Sequence, residues 1–359
     1  MLRRNFVKSG GVVLGSALTF PNILACKNLN SRLNIALIGV GGRGIQNWQP
    51  IINSENIVAM CDVDDRWASR ALTRIKESHA NVKRFKDYRV MFDKMQNLID
   101  AVIISTPDHT HFHAAITAME LGIHVCIEKP LAHNVWQCRT LKKAANHYGV
   151  ISQMANQGHT TNGIRQVKEW YEAGILGEVR EVHAWFGEFN FKPGHWWDKP
   201  SEFPPKKQTI PKTLDWNLWL GPAKNRNYNK VYVPKSWRGF FDFGNGQLGD
   251  WSCHTLDAPF WALNLGMPSS VFGNVPDPRT KENFVADKST VEFTFPTNND
   301  RKSVKLKWYE GGFKPNFGDD FPLKNIPNLG LSLIHISEPT RLLSIGDGLL
   351  CLKKKSGGG

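Results

Sequence analysis

The sequence predicts an α/β protein: a doubly wound parallel sheet, followed by a second domain of α+β type. Three observations predict it. An apolar run, Leu33–Ile38, ends abruptly in glycines spaced G-x-G-x-x-G, at Gly39, Gly41 and Gly44. Apolar strand patterns then alternate with helical ones as far as residue 157, the order of a sheet wound in both directions. The chain has 359 residues, enough for two cores, and its 41% hydrophobic and 21% charged content is that of an ordinary globular protein.

The first strand reads as buried on both faces, as in a parallel sheet. Gly39 permits the tight turn, Gly41 lets backbone approach a pyrophosphate, and Gly44 lets the next helix pack close to the strand. Gly42 and Arg43 complete the turn, and the N–H groups opening that helix face the phosphates. A second strand, Ile57–Cys61, ends at Asp62, 18 residues after Gly44. A carboxylate there holds a ribose hydroxyl, and it would repel a 2′-phosphate, which favours NAD over NADP. Together these features predict a Rossmann domain over residues 31–157.

The following elements continue the alternation. Helices are expected at Arg66–His79, from Tyr88 to about Asn97, at Phe112–Leu121 and at Val135–Tyr148. Strands are expected at Ile99–Ser105, His124–Ile127 and Val150–Met154. Ligands bind at the carboxyl ends of such strands, where Thr106-Pro107 and Glu128-Lys129-Pro130 fall. His109, His111 and His113 alternate along the chain. Positions i and i+2 of a helix point apart, so no shared metal is expected.

With Thr106-Pro107-Asp108-His109-Thr110-His111 and Gly122-Ile123-His124-Val125-Cys126-Ile127-Glu128-Lys129-Pro130 behind the glycine turn, the chain resembles the glucose–fructose oxidoreductase / inositol dehydrogenase / MocA family from residue 33 to about 265. The resemblance implies that Lys129 lies between nicotinamide and substrate as a catalytic residue. It also implies that His111, with Thr106, Pro107 and Glu128, lies near the cofactor.

The second domain is expected over residues 158–330. A helix at Arg165–Ala173 precedes a long strand from Gly177 to Phe191, with further strands at Ser270–Asn274, Ser289–Phe295 and Ser303–Tyr309. The resemblance implies an open mixed sheet covering the nicotinamide end. The chemical centre is Asp250 and His254, at i and i+4 on one helix face. Taken alone, this pair reads as an N-capping Asp and a packed His. The resemblance makes it the catalytic pair, with Asp250 orienting and charging His254. Eight tryptophans lie from Trp185 to Trp261. Trp196, Trp197 and Trp237 are the candidates for stacking on a sugar ring.

The formal charge of +13 is partly terminal. Residues 1–30 hold Arg3, Arg4, Lys8 and Lys27 and no acid, and the interior has no long basic run, so nucleic acid is not an expected partner. Arg3-Arg4-Asn5-Phe6-Val7-Lys8 and the apolar stretch after it resemble a twin-arginine export signal over residues 1–30. Ile23-Leu24-Ala25-Cys26 resembles a lipoprotein box, so a lipid anchor at Cys26 is the one expected membrane contact. The other cysteines show no metal or redox spacing. Residues 331–359 break the pattern. Leu331–Arg341 resembles a translated sequencing adapter, and Lys353–Lys355 and Gly357–Gly359 resemble homopolymer read-through, so this tail is expected to be non-native.

These features predict an exported NAD(P)-dependent oxidoreductase, a homo-oligomer at full length, that moves hydride between nicotinamide and a carbinol of a sugar, cyclitol or glycoside. Two alternatives stand beside it. One is a glycosidase that retains NAD and works by transient oxidation and elimination. The other is a non-catalytic sugar-binding lipoprotein.

Overall fold

A computed structural model of the chain describes residues 32–186, 199–276, 283–299 and 301–316, and the backbone of 329–335 and 349–354. The expected export signal and Cys26 lie outside the described residues.

The first domain is a six-stranded sheet in the order β3-β2-β1-β4-β5-β6, parallel throughout. Its strands are β1 Asn34–Ile38, β2 Asn56–Cys61, β3 Lys83–Phe85, β4 Ala101–Ile104, β5 His124–Glu128 and β6 Ser152–Ala155. Five helices connect them: α1 Arg43–Trp48, α2 Asp65–Lys76, α3 Tyr88–Met95, α4 Asp108–Glu120 and α5 Val135–Tyr148. The strand order reverses between β1 and β4, which opens a crevice at their carboxyl ends. One face is packed by Trp48 of α1 and by Ala68, Ala71 and Ile75 of α2. The other is packed by Phe92 of α3, Ala115 of α4 and Leu141 of α5.

Two elements depart from the sequence reading. β3 was not expected, because Lys83-Arg84-Phe85 at the sheet edge has no buried apolar pattern. Helix α4 begins at Asp108, four residues before the expected start. Pro107 is extended at φ −62°, ψ 151° and ends the preceding loop, and Asp108 suits the positive first turn. The His-rich stretch is therefore helical.

The second domain is a mixed sheet in the order β12-β11-β7-β10-β9-β8. It comprises β7 Val179–Phe186, β8 Ser270–Asn274, β9 Ser289–Phe295, β10 Val304–Glu310, β11 Leu329–His335 and β12 Leu349–Lys354. β7 and β10 run parallel; β9 is antiparallel to both β10 and β8. Because β7 is central, Val182, Ala184, Trp185 and Phe186 are all buried, and the strand shows no alternation. β11 and β12 fall mostly in the tail expected to be non-native, and no role is assigned to them.

Helices α6 Asn162–Glu172, α8 Gly246–Thr255 and α9 Asp257–Ala262 cover one face of this sheet. A loop-rich aromatic cluster, including the short α7 Trp216–Leu220 with Tyr232, Phe240 and Phe243, docks on the first domain just beyond β2. Asp65 N donates to Thr213 O at 2.8 Å and Asp215 N to Val63 O at 3.0 Å.

Candidate active site

The glycine turn is built as a cradle. Gly39 has φ +79°, and a Cβ there would lie 2.5 Å from Ser105 O. A Cβ on Gly44 would lie 2.1 Å from Gly39 O, so the helix packs on the strand as closely as backbone allows. A Cβ on Gly41 would strike the Trp67 ring at 2.6 Å, so α2 as well as any ligand demands glycine there. Gly42, at φ +49°, faces open space at the start of α1, where the Gly44 amide turns back to Gly41 O at 2.8 Å and no side chain caps the helix.

Asp62 is half-buried at the end of β2. Its Oδ2 accepts from Val40 N at 3.0 Å and its Oδ1 from Asp64 N at 2.9 Å. Burial raises its pKa, and these amides oppose that. Each oxygen keeps a lone pair, enough to accept a ribose hydroxyl while holding the turn. The open glycine cradle and this half-committed carboxylate fit a dinucleotide.

Other residues expected at the cofactor stand behind the loops. His111 is 0% exposed. Its ring nitrogens lie 2.8 Å from Pro130 O and 2.8 Å from Thr106 O, so the ring is wedged between the loops after β4 and β5, its single N–H donates to one of these carbonyls, and it does not face a ligand. Burial holds its pKa below the ordinary histidine range. Glu128 is likewise buried, accepting from Arg43 Nε at 2.8 Å, Asn47 Nδ2 at 2.9 Å and the Lys129 amide at 3.1 Å. It joins the strand end to the glycine turn. Thr106 Oγ1 accepts from Thr110 Oγ1 at 2.7 Å, and Pro107 caps α4.

Lys129 and Asp250 meet across the two domains. Lys129 Nζ donates to Asp250 O at 2.8 Å and pairs with Asp250 Oδ1 at shorter range. The Asp250 Oδ2 lies 3.3 Å from Arg238 Nε, within ion-pair distance but not aligned as a hydrogen bond. Asp250 and His254 do share the face of α8. The expectation that Asp250 orients His254 directly is not met, because the Asp250 carboxylate is turned to Lys129 and Arg238. His254 Nδ1 instead lies 3.2 Å from Gln157 O. Burial first, and Lys129 second, lower the His254 pKa.

Trp237 does not line a cleft. It is 6% exposed within the aromatic cluster, and the Arg238 guanidinium sits 4.1 Å from its ring centroid. Its part is to back Arg238. Trp196 and Trp197 lie outside the described residues.

Sequence reasoning missed Asp108, Asn245 and Arg238. Asp108 is buried at the start of α4, and its Oδ2 accepts from Asn245 N at 3.2 Å and Asn245 Nδ2 at 3.3 Å. Asn245 is the N-cap residue of α8, so this contact sets where the helix begins. Burial, then Asp250, pushes the Asp108 carboxyl up to about 7, while Arg238 and Lys129 oppose the rise. Asp108 lies within the Thr106–His111 motif, which was its one signal. Asn245 is 137 residues away, beyond any local pattern.

Comparison with known proteins follows the same division. The oxidoreductase family with an NAD-binding Rossmann fold (Gfo/Idh/MocA) matches residues 33–156, and its C-terminal alpha/beta domain matches residues 160–302. The α-N-acetylgalactosaminidase of Shewanella oneidensis is 26% identical over 227 residues, covering 54% of this chain and 49% of that protein. The 2,7-anhydro-N-acetylneuraminate hydratase of Mediterraneibacter gnavus is 30% identical over 86 residues, covering 24% of this chain and 23% of that protein. The chain thus spans about half or less of these relatives.

Among solved structures, the WlbA dehydrogenase of Bordetella pertussis, in complex with NADH and UDP-GlcNAcA, aligns with a TM-score of 0.54 at 18% identity, over 79% of this chain and 74% of that one. A levoglucosan dehydrogenase in complex with NADH aligns with a TM-score of 0.55 at 19% identity, over 80% and 69%. These likenesses show the shared fold.

Proposed function

The chain belongs to the Gfo/Idh/MocA family of NAD-binding oxidoreductases, and from that premise we propose that it moves a hydride between NAD and a carbinol carbon of a sugar, cyclitol or glycoside. The observation that carries this is the Lys129–Asp250 contact, which joins the end of β5 to α8 beside His254. Nicotinamide, when bound at the carboxyl ends of the strands, supplies the hydride acceptor or donor. Lys129 Nζ spends two donors on Asp250 and keeps a third for the substrate oxygen, where it stabilises the developing alkoxide. His254 Nδ1, donating to Gln157 O, leaves the Nε2 lone pair to take the hydroxyl proton. Its lowered pKa keeps that ring neutral near pH 7. Asp250 balances the charge of Lys129 and, with Arg238, fixes its direction.

The test is Lys129→Met. Dinucleotide binding persists and turnover falls by roughly 10²-fold or more. Retained turnover would remove Lys129 from the mechanism.

A second reading has its own support. The curated relatives named above are a glycosidase and a hydratase, and both names describe net addition or use of water without net oxidation. A chain of this family performing such chemistry returns the hydride it takes, so NAD is retained. Aglycone release without accumulation of reduced nicotinamide distinguishes this reading from net oxidation. The basic, twin-arginine-like start of the chain supports export, and fractionation of cells expressing the full chain tests that.

A further inference from the structure

We propose that Gln247 reads a hydroxyl of the substrate, in company with the indole N–H of Trp251; this rests on the sugar-class reading above. Gln247 is 1% exposed, yet neither its Nε2 nor its Oε1 has a hydrogen-bond partner. A buried amide left unpaired on both atoms is costly, and native proteins rarely retain one without a use. The Nε1 of Trp251 is also buried and unpartnered. Its ring is stacked on Phe186, at 4.3 Å between centroids and 24° between planes, which fixes where the indole N–H points.

Helix geometry puts these groups together. Gln247 and Trp251 are at i and i+4 on α8, with Asp250 at i+3 and His254 at i+7, so all four share one face. Asp250 turns to Lys129 and Trp251 to the sheet. Gln247 lies between them, in line with His254. Towards the carboxyl end of α8, Asn156 Nδ2 donates to Cys253 O at 2.7 Å while its Oδ1 is unpartnered.

The chemistry of the set selects its ligand. An amide offers one donor edge and one acceptor, and a hydroxyl both donates and accepts, so the two satisfy each other. The indole adds a second neutral donor. No cation belongs to the set, so it suits an uncharged polyol rather than a phosphate or carboxylate.

The test compares wild type with Gln247→Met, a change of similar volume that removes both amide atoms. Melting is followed without sugar, then with levoglucosan, myo-inositol or N-acetylgalactosamine, each with NAD present. The expected result has two parts. The variant melts above wild type in the sugar-free state, because an unpaired buried group is gone. Any probe that stabilises wild type stabilises the variant several-fold less, while the shift caused by NAD alone is unchanged. A variant that melts lower overturns the proposal, since the amide would then be bonded within the protein. Equal sugar-induced shifts overturn it too. A panel in which nothing stabilises wild type overturns the sugar-class function and this proposal with it, whereas equal shifts in the two proteins overturn the role of Gln247 alone.

Discussion

Asp108 should make the stability of this protein fall as pH rises, and Asp108→Asn should remove that slope. The carboxyl is buried between α4 and the start of α8, and its pKa is pushed from 3.8 up to about 7. The native state therefore holds the proton more tightly than the unfolded chain does. The contribution is fully present below about pH 4 and is lost as pH rises through about 7. A shift of this size corresponds to about 4 kcal/mol between the two protonation states, taken as an order of magnitude. Asparagine keeps an oxygen to accept from Asn245 N and cannot ionise. The assay is denaturant unfolding of wild type and variant at several values between about pH 4 and pH 8, read as the difference between them so that other titrating groups cancel. The variant should gain on wild type steadily across that window. A flat difference refutes the reasoning: Asp108 would then be ionised throughout, held by Lys129 and Arg238 more strongly than burial opposes.

His254→Gln should cut turnover by about 10²- to 10⁴-fold with little change in dinucleotide affinity. In wild type the acid limb of the rate profile should fall below the ordinary histidine range, because burial and Lys129 lower the His254 pKa and protonation removes the base. Gly44→Ala should abolish dinucleotide binding and lower the melting temperature, since its Cβ would meet the Gly39 carbonyl at 2.1 Å. A titration of nicotinamide dinucleotide into the folded variant checks it, and wild-type affinity would refute the steric argument.

The first domain was legible because its signals are local. The G-x-G-x-x-G turn, Asp62 and the apolar runs each lie within a few residues of the element they define, and the structure adds only the edge strand β3 and an earlier start for α4. Roles within the site were less legible. His111 and Glu128 sit at the expected strand ends, but whether such a side chain faces a ligand or braces a loop depends on what packs behind it. For Glu128 that is Arg43 and Asn47, 85 and 81 residues away. Trp237 shows the same limit: a tryptophan in a loop-rich stretch suggested an open platform, and tertiary packing buried it under Arg238.

The same limit explains why the direct orienting of His254 by Asp250, which the resemblance implied, is not made. Spacing of i and i+4 establishes a shared helix face, and no more. What the carboxylate then bonds is chosen by charge. Lys129 and Arg238 are cations brought from other elements, and either outcompetes a neutral imidazole for a buried carboxylate. Asp250 is thereby the one residue of α8 bound to the first domain through its side chain and its backbone carbonyl at once. It therefore governs two things together, the direction of Lys129 and the placement of the helix that carries His254. Asp250→Asn should accordingly lower turnover more than either loss alone predicts, and a double-mutant cycle with Lys129→Met should show strong coupling. Additive effects would mean that Lys129 finds its position without Asp250.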